Sequence, residues 1–367
     1  MRHYFLGMAA NYRGGRWFSH LFTMGRKKDL TNLESFLGQK YGGEALLCKN
    51  GRSGLAFALK AFFQPGDAVI VNGFTCFAVY EAIKKAGLTP VFVDIENEDL
   101  NFSIKTLEKA LPAKPKGIIV QNTLGNPVDI KAISKFAKEH DLIMIEDLAH
   151  SAGVKYPDGE EAGTVGAATV LSFGKDKSID TVSGGAVIFR APYDKKTIKA
   201  PSKAPRPSDH LRARLYPMFG AFCRTLTYIH LGGAMMRLFV KLHWVEKSAD
   251  NRLDLTRRIS KFEAKLALRQ LENLKNSGES PLRIFYLVED RAELLKKLTS
   301  RGYYFGGFWY EKPVSPERYY KRVHFDEAGC PNAVSVSEHI INIPTNYSKN
   351  ELAPAFQLIK NHLKEGK

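Results

Sequence analysis

Between Ala68 and Glu146 short apolar runs alternate with stretches of helical spacing, and few architectures accommodate that rhythm. The spacing predicts strands at Ala68–Val71, Pro90–Asp94, Gly117–Gln121 and Leu142–Glu146. It predicts helices at Phe77–Lys85, Ile104–Ala110 and Ile130–His140. Strands separated by helices pair in parallel, because each crossover carries the chain back to the same end of the sheet. Earlier in the chain, helical spacing runs through Leu33, Phe36 and Leu37. It resumes after Gly51 with Leu55, Ala58, Leu59 and Phe62, until Pro65-Gly66 stops it. An α/β domain with a largely parallel sheet is therefore expected.

Open α/β sheets place ligands at the carboxyl ends of their strands. Asp147 directly follows the apolar run Leu142–Ile145. Lys177 follows a second apolar strand that ends in Ser172-Phe173, and Gly184-Gly185 opens a third, Ala186–Phe189. A lysine amine that can form a Schiff base, a carboxylate that can keep a pyridine nitrogen protonated, and small polar groups for a phosphate are what pyridoxal 5'-phosphate requires.

These residues resemble the sugar-aminotransferase family named after DegT, DnrJ, EryC1 and StrS, a branch of the fold-type I pyridoxal-phosphate enzymes. Its E-D-x-A-[QH]-[AS] is met by Glu146-Asp147-Leu148-Ala149-His150-Ser151, and its S-F-x-x-x-K-x-[LI] by the stretch from Ser172 to Ile179. Gly184-Gly185-Ala186 matches the end of G-E-G-G-A, with Val182 and Ser183 departing from the usual residues. Asn50–Leu55 resembles the N-G-T-S-A-L phosphate turn, Pro90–Asp94 the strand P-V-F-V-D, and Ile343-Pro344 the late L-P pair. The resemblance is close over 30–190 and looser over 251–367, and it leaves 200–250 unmatched. It implies a large sheet domain followed by a smaller C-terminal α+β domain.

The resemblance assigns roles residue by residue. Lys177 is the Schiff-base lysine and Asp147 the partner of the pyridinium nitrogen. His150 faces the phenolic oxygen. Ser172, Gly51 and the backbone N–H groups of Arg52 and Ser53 hold the phosphate, a task suited to a helix N-terminus. The family's threonine is Arg52 here, whose side chain either touches the phosphate or points away. The aromatic residue that covers the ring maps to Cys76, and Phe77 next to it is the alternative. The family's H-x-Y-G reads Asn122-Thr123-Leu124-Gly125. Its N-[YF]-R-[ML] reads Thr256-Arg257-Arg258-Ile259, so Thr256 and Arg258 are expected to reach the phosphate of a partner subunit in a homodimer.

The expected activity is transamination of a keto sugar carried on a nucleotide or a lipid, as in polysaccharide biosynthesis, with glutamate as donor. Two alternatives stand beside it: a sugar dehydratase-like enzyme, and a non-catalytic basic regulator or nucleic-acid binder. Relatives that dehydrate carry histidine in place of the lysine, which Lys177 opposes, and no nucleic-acid-binding motif is present. Cys48, Cys76, Cys223 and Cys330 are scattered without metal-ligand spacing, so neither a disulfide framework nor a metal site is expected, and a cytoplasmic setting fits. No secretory signal and no membrane-spanning run is read from the sequence.

The net charge of +16 remains to be explained. A basic segment occupies 1–30 (Arg13, Arg16, Arg26, Lys27 and Lys28 among it), the sheet domain 31–203, a basic insert 204–250, and the small domain 251–367. Within the insert, 211–245 has no acid. Leu215, Met218, Phe219, Phe222, Leu226 and Ile229 recur at helical spacing, as do Met235, Leu238, Phe239, Leu242 and Val245 beyond Gly232-Gly233. Two basic amphipathic helices suit an anionic membrane surface at the inner face of the membrane; the protein's own core or a subunit interface is the alternative.

Overall fold

The computed structural model describes every residue except 1–3, 7–9, 13–14, 228, 248–251, 275–280, 306–308 and 366–367; Arg13 lies outside the described residues. Its centre is a seven-stranded sheet: β1 (Glu44–Cys48), β2 (Ala68–Asn72), β3 (Thr89–Val93), β4 (Gly117–Gln121), β5 (Ile143–Asp147), β6 (Ala168–Ser172) and β7 (Gly185–Phe189). The spatial order is β1-β7-β6-β5-β4-β2-β3. All pairs are parallel except those made by β7, which runs antiparallel to both β6 and β1. One edge of the sheet thus gathers the ends of β1, β4, β5 and β6 and the start of β7, with Ser172 opposite Gly185 and Gln121 opposite Asp147.

The sheet is buried on both faces, which explains why its strands are continuous apolar runs rather than alternating ones. Ile118 and Val120 join the core on one face, against Leu33, Leu37 and Ile133, and Ile119 joins the core on the other, against Leu55, Leu59 and Ile83. The helices of this part of the chain are α1 (Arg16–Phe22), α2 (Lys27–Tyr41), α3 (Gly51–Phe62), α4 (Phe77–Lys85), α5 (Ile104–Glu108) and α6 (Ile130–Glu139), and α2, α3, α4 and α6 supply these side chains. Of these, α1 lies outside both sheet cores and packs on the later helix α7 (Pro207–Thr227). The chain then forms α8 (Gly232–Lys241) and α9 (Lys261–Leu274). A smaller antiparallel pair, Arg283–Leu287 with Ile340–Pro344, lies in the C-terminal part, and helix Lys349–Glu365 follows it.

The expected elements from 68 to 189 are present with ends shifted by a residue or two. The insert differs from its sequence pattern. On α7 the buried residues are Ala213, Tyr216, Pro217, Gly220, Cys223 and Thr227, not the large apolar stripe. Phe222 and Ile229 are exposed and Phe219 is half-buried. Where α7 meets α8 a glycine lets the helices approach closely. Gly232 shows how close: a Cβ there would sit 2.2 Å from the Cys223 carbonyl oxygen. On α8, Met236 and Phe239 are buried while Leu238 is exposed.

Candidate active site

The ligand-binding edge of the sheet opens into a cavity lined by Gly51, Arg52, Cys76, Asp147, His150, Ser172 and Lys177. Seven residues expected from sequence thus meet in one place, although more than a hundred positions separate the first from the last.

Asp147 ends β5 and is buried. Its carboxylate accepts the N–H of Ala149 at 3.0 Å and the side-chain amide of Gln121, from the end of β4, at 3.3 Å. Burial pushes its pKa up; the Ala149 N–H, Lys177 and Gln121 oppose that shift. Lys177 follows β6 in a loop where Asp176 has a φ of 60°. Burial pushes its amine below the usual lysine range, with nearby Asp147 among the groups pulling the other way. Its Nζ stands 4.5 Å from the centroid of the Trp309 ring. Arg283 lies 4.9 Å from that centroid and is held by Asn342; burial lowers its pKa to about 10.

The Lys177 loop is built from distant parts of the chain. Asp180 accepts from Asn11 Nδ2 at 2.9 Å, Tyr12 Oη at 2.7 Å, and the N–H groups of Asp176 and Val182 at 2.8 and 2.9 Å. Asn11 also donates to the Lys177 carbonyl at 3.1 Å. The other acid of the Glu146-Asp147 pair is wholly structural. Glu146 accepts from Gly163, Val165 and Gly166 N–H, from Tyr156 Oη, and from Arg190.

His150 is buried with both ring nitrogens engaged. The Leu124 N–H donates to Nδ1 at 3.1 Å, presented by a backbone with φ of 55°. That fixes the ring proton on Nε2, which donates to Tyr310 Oη at 3.1 Å. Burial first, then Lys177 and Arg283, hold the imidazole well below its ordinary pKa, so it is neutral. His150 lines the cavity, as expected of a residue facing the cofactor, and in this structure its ring N–H is given to Tyr310.

Gly51 begins α3, and a Cβ there would come 2.7 Å from the Ser172 Cβ, so only glycine leaves the cradle between them open. Two expectations, those for Ser53 and Phe77, are corrected, and the Arg52 side chain takes one of the two directions left open for it. Ser53 gives its N–H to the N-cap Asn50 Oδ1 and exchanges hydrogen bonds with the Asp254 backbone through its hydroxyl, so it does not line the cavity. The Arg52 guanidinium pairs with Glu81 on α4, so its charge is directed along the helix pair. Phe77 stacks on Tyr319 at 4.5 Å, outside the cavity, and it is Cys76 that faces inward. Thr256 bonds Asp254 and Arg258 pairs its N–H with the Lys203 carbonyl; neither enters the cavity of its own chain.

The sequence pattern missed one wall altogether. Asp209, Arg212, Ala213 and Tyr216 of α7 line the cavity, closed further by Val245–Lys247. Lys49 reaches Asp209 at 3.5 Å, and Lys175 sits 4.3 Å from the Tyr216 ring centroid and bonds the Glu246 carbonyl. Only the acid-free composition of the insert signalled anything unusual there. No metal-holding group of His, Cys, Asp and Glu is found among the described residues.

A mostly parallel sheet whose edge brings a lysine, a buried carboxylate and a glycine-lined helix start together defines a fold-type I pyridoxal-phosphate enzyme. The chain belongs to the DegT/DnrJ/EryC1/StrS aminotransferase family, matching it over residues 19–352. Members of this family use pyridoxal phosphate, and the residues here fit that group: a lysine and carboxylate in one cavity beside an open phosphate cradle. The chain is 38% identical over 154 residues to GDP-perosamine synthase of Escherichia coli O157:H7, covering 42% of each. It is 33% identical over 179 residues to GDP-4-keto-6-deoxy-D-mannose 3-dehydratase of Yersinia pseudotuberculosis, covering 46% of this chain and 44% of the relative. The chain thus spans less than half the length of the curated relatives it matches. The fold is shared along nearly the whole chain with a DegT DnrJ EryC1 StrS aminotransferase from Brucella abortus (TM-score 0.67, 21% identity, 96% of this chain and 95% of that one).

Proposed function

We propose that the protein transfers an amino group to the carbonyl of a keto sugar carried on a nucleotide, with glutamate as donor. The convergence of Lys177 and Asp147 in one cavity carries this reading. The relative named GDP-perosamine synthase and others named for UDP-sugar aminotransfer support the substrate class. Lys49, Arg212 and Lys175 on the cavity wall suit a diphosphate.

Pyridoxal phosphate, when bound, supplies an aldehyde for an amine and a ring that accepts electron density. Lys177 would hold it covalently and, once released, carry a proton to and from the reacting carbons, a task for which an amine with a lowered pKa is suited. Asp147 would keep the ring nitrogen protonated. Gly51, Ser172 and the amino end of α3 would hold the phosphate. Thr256 and Arg258 would complete the partner's site in a homodimer. Lys177 stands against the dehydratase reading, although one relative bears that name.

A sugar carried on a lipid is the second reading, favoured by the basic, apolar outer surface of the helix that walls the cavity. The experiment is to add glutamate and candidate keto-sugar nucleotides to the cofactor-loaded protein, following visible absorbance and product mass. Conversion of a keto sugar to an amino sugar is the expected result. A spectrum unmoved by any amino donor, with no amino sugar formed, refutes the proposal.

A further inference from the structure

Every exposed large hydrophobic side chain among the described residues lies in one of two stretches, 18–24 or 211–244. They include Phe18 and Phe22 on α1, Leu211 and Phe222 on α7, and Leu238 on α8, 44–61% exposed. The three helices form one layer. His20 Nε2 donates to the Ala213 carbonyl at 3.1 Å, Arg214 bonds the Leu21 and Thr23 carbonyls, and Phe219 of α7 packs 4.7 Å from Phe239 of α8.

Helix α7 is apolar on two opposite sides. Its buried residues Ala213, Tyr216, Gly220 and Cys223 form one row. Leu211, Leu215, Met218 and Phe222 recur at intervals of four, three and four residues, and at about 100° per residue this second row lies roughly opposite the first. The inner row is covered by the protein. The outer row is half or fully exposed.

The same stretches are the acid-free ones. Residues 1–28 hold six Lys and Arg, residues 210–245 hold five, and neither contains Asp or Glu. Together they account for most of the net charge of +16. Arg16, Arg26, Lys27, Lys28, Arg237 and Lys241 are exposed. Large apolar side chains set among exposed Lys and Arg from two acid-free stretches are the complement of anionic lipid headgroups above an acyl region. A second copy docked face to face would set two acid-free cationic surfaces against each other, which like-charge repulsion opposes.

We propose that the outer face of α1, α7 and α8 docks on an anionic lipid bilayer, with the helices lying in the plane of the interface. No helix among the described residues is long and apolar enough to cross a membrane, so the contact is peripheral. Because α7 also lines the cavity, docking sets the site beside the bilayer. The docking surface itself does not depend on which reaction the site performs.

The test is flotation of the cofactor-loaded full chain with phosphatidylcholine vesicles, with and without phosphatidylglycerol. The protein should float with the anionic vesicles at low salt. It should bind at least about tenfold less to neutral vesicles, or in 1 M salt where the screening length is about 3 Å. Leu211→Ser combined with Phe222→Ser, and separately Arg237→Glu combined with Lys241→Glu, should each weaken flotation at least about tenfold. Visible absorbance of the bound cofactor and the melting temperature should not change, since all four side chains are exposed and none lines the cavity. Protein that stays at the bottom with anionic vesicles, or flotation indifferent to both double variants, overturns the proposal. So does an oligomer that the apolar double variant splits without any vesicle binding, which would make this face a contact between copies.

Discussion

Tyr310 Oη lies 3.1 Å from His150 Nε2, across 160 residues of sequence, and accepts the proton that the imidazole carries there. With Leu124 fixing the tautomer from the other side, the hydroxyl hydrogen of Tyr310 is left to turn elsewhere, and Tyr310 lines the cavity. Tyr310→Phe should strand a buried N–H, which costs about 1–3 kcal/mol of stability. Turnover should fall about tenfold for a comparable loss in the transition state. Separate measurements of kcat and KM, with a thermal melt, check this; unchanged values for both would make the pair incidental.

Lys177 and Lys175 are both in the cavity, but Lys175 is anchored to Glu246 and faces Tyr216. Borohydride treatment of the loaded protein followed by peptide mapping should therefore place the pyridoxyl label on Lys177. Lys177→Ala should take no label and lose at least about a thousandfold in rate, some 4 kcal/mol. Label on Lys175 would move the chemistry two residues upstream.

Asp147→Asn tests the carboxylate without changing its shape. The amide oxygen can still accept the Ala149 N–H. Burial raises the Asp147 pKa, so above the usual carboxylate value its ionisation works against folding, and a neutral replacement should offset the loss of the Gln121 hydrogen bond, leaving stability within about 1 kcal/mol of the wild type. Activity should nevertheless drop about a thousandfold, because nothing else holds the ring nitrogen protonated. Near-normal turnover in this variant would reduce Asp147 to a cap for the chain that follows.

Arg258 lies outside its own cavity, in keeping with service to a neighbour. Arg258→Glu and Lys177→Ala should each be inactive alone. Mixed after unfolding and refolding together, they should regain activity through heterodimers that carry one intact site. No recovery in a mixture that sedimentation shows to contain mixed dimers would remove Arg258 from the site.

His20 docks α1 on α7, and burial lowers its pKa from 6.5 to about 4. A folded pKa below the unfolded one means the unfolded chain takes up the proton first as pH falls. The stability is fully present above 6.5 and is lost progressively toward about 4. The loss should amount to about 3 kcal/mol. Denaturant melts across this window should show a shallower pH slope in His20→Leu than in the wild type. An identical slope would exclude His20 as the source.

What the sequence determined by itself is what short-range physics controls. Apolar runs bounded by turn residues set the strands, and a sheet built from them must gather residues such as Asp147 and Ser172 at one edge. Local spacing then placed Lys177 in the loop after β6, and Gly51 at a helix start. Side-chain direction and partners were decided only by the tertiary structure. Phe77 and Cys76 are neighbours in sequence, yet packing against Tyr319 turns the aromatic ring out and leaves the thiol facing in. Ser53 is claimed by Asn50 and Asp254. Tyr310, Trp309, Arg283 and Asn11 reach the site from segments up to 169 residues away from the groups they contact, a distance over which no periodicity carries information. The insert makes the same point in reverse. Its composition announced two amphipathic helices, but a helix with apolar residues on both sides can bury either one. Packing of Ala213, Tyr216, Gly220 and Cys223 against the rest of the protein, with Gly232 tight on Cys223, chose one side and left Leu211 and Phe222 outward.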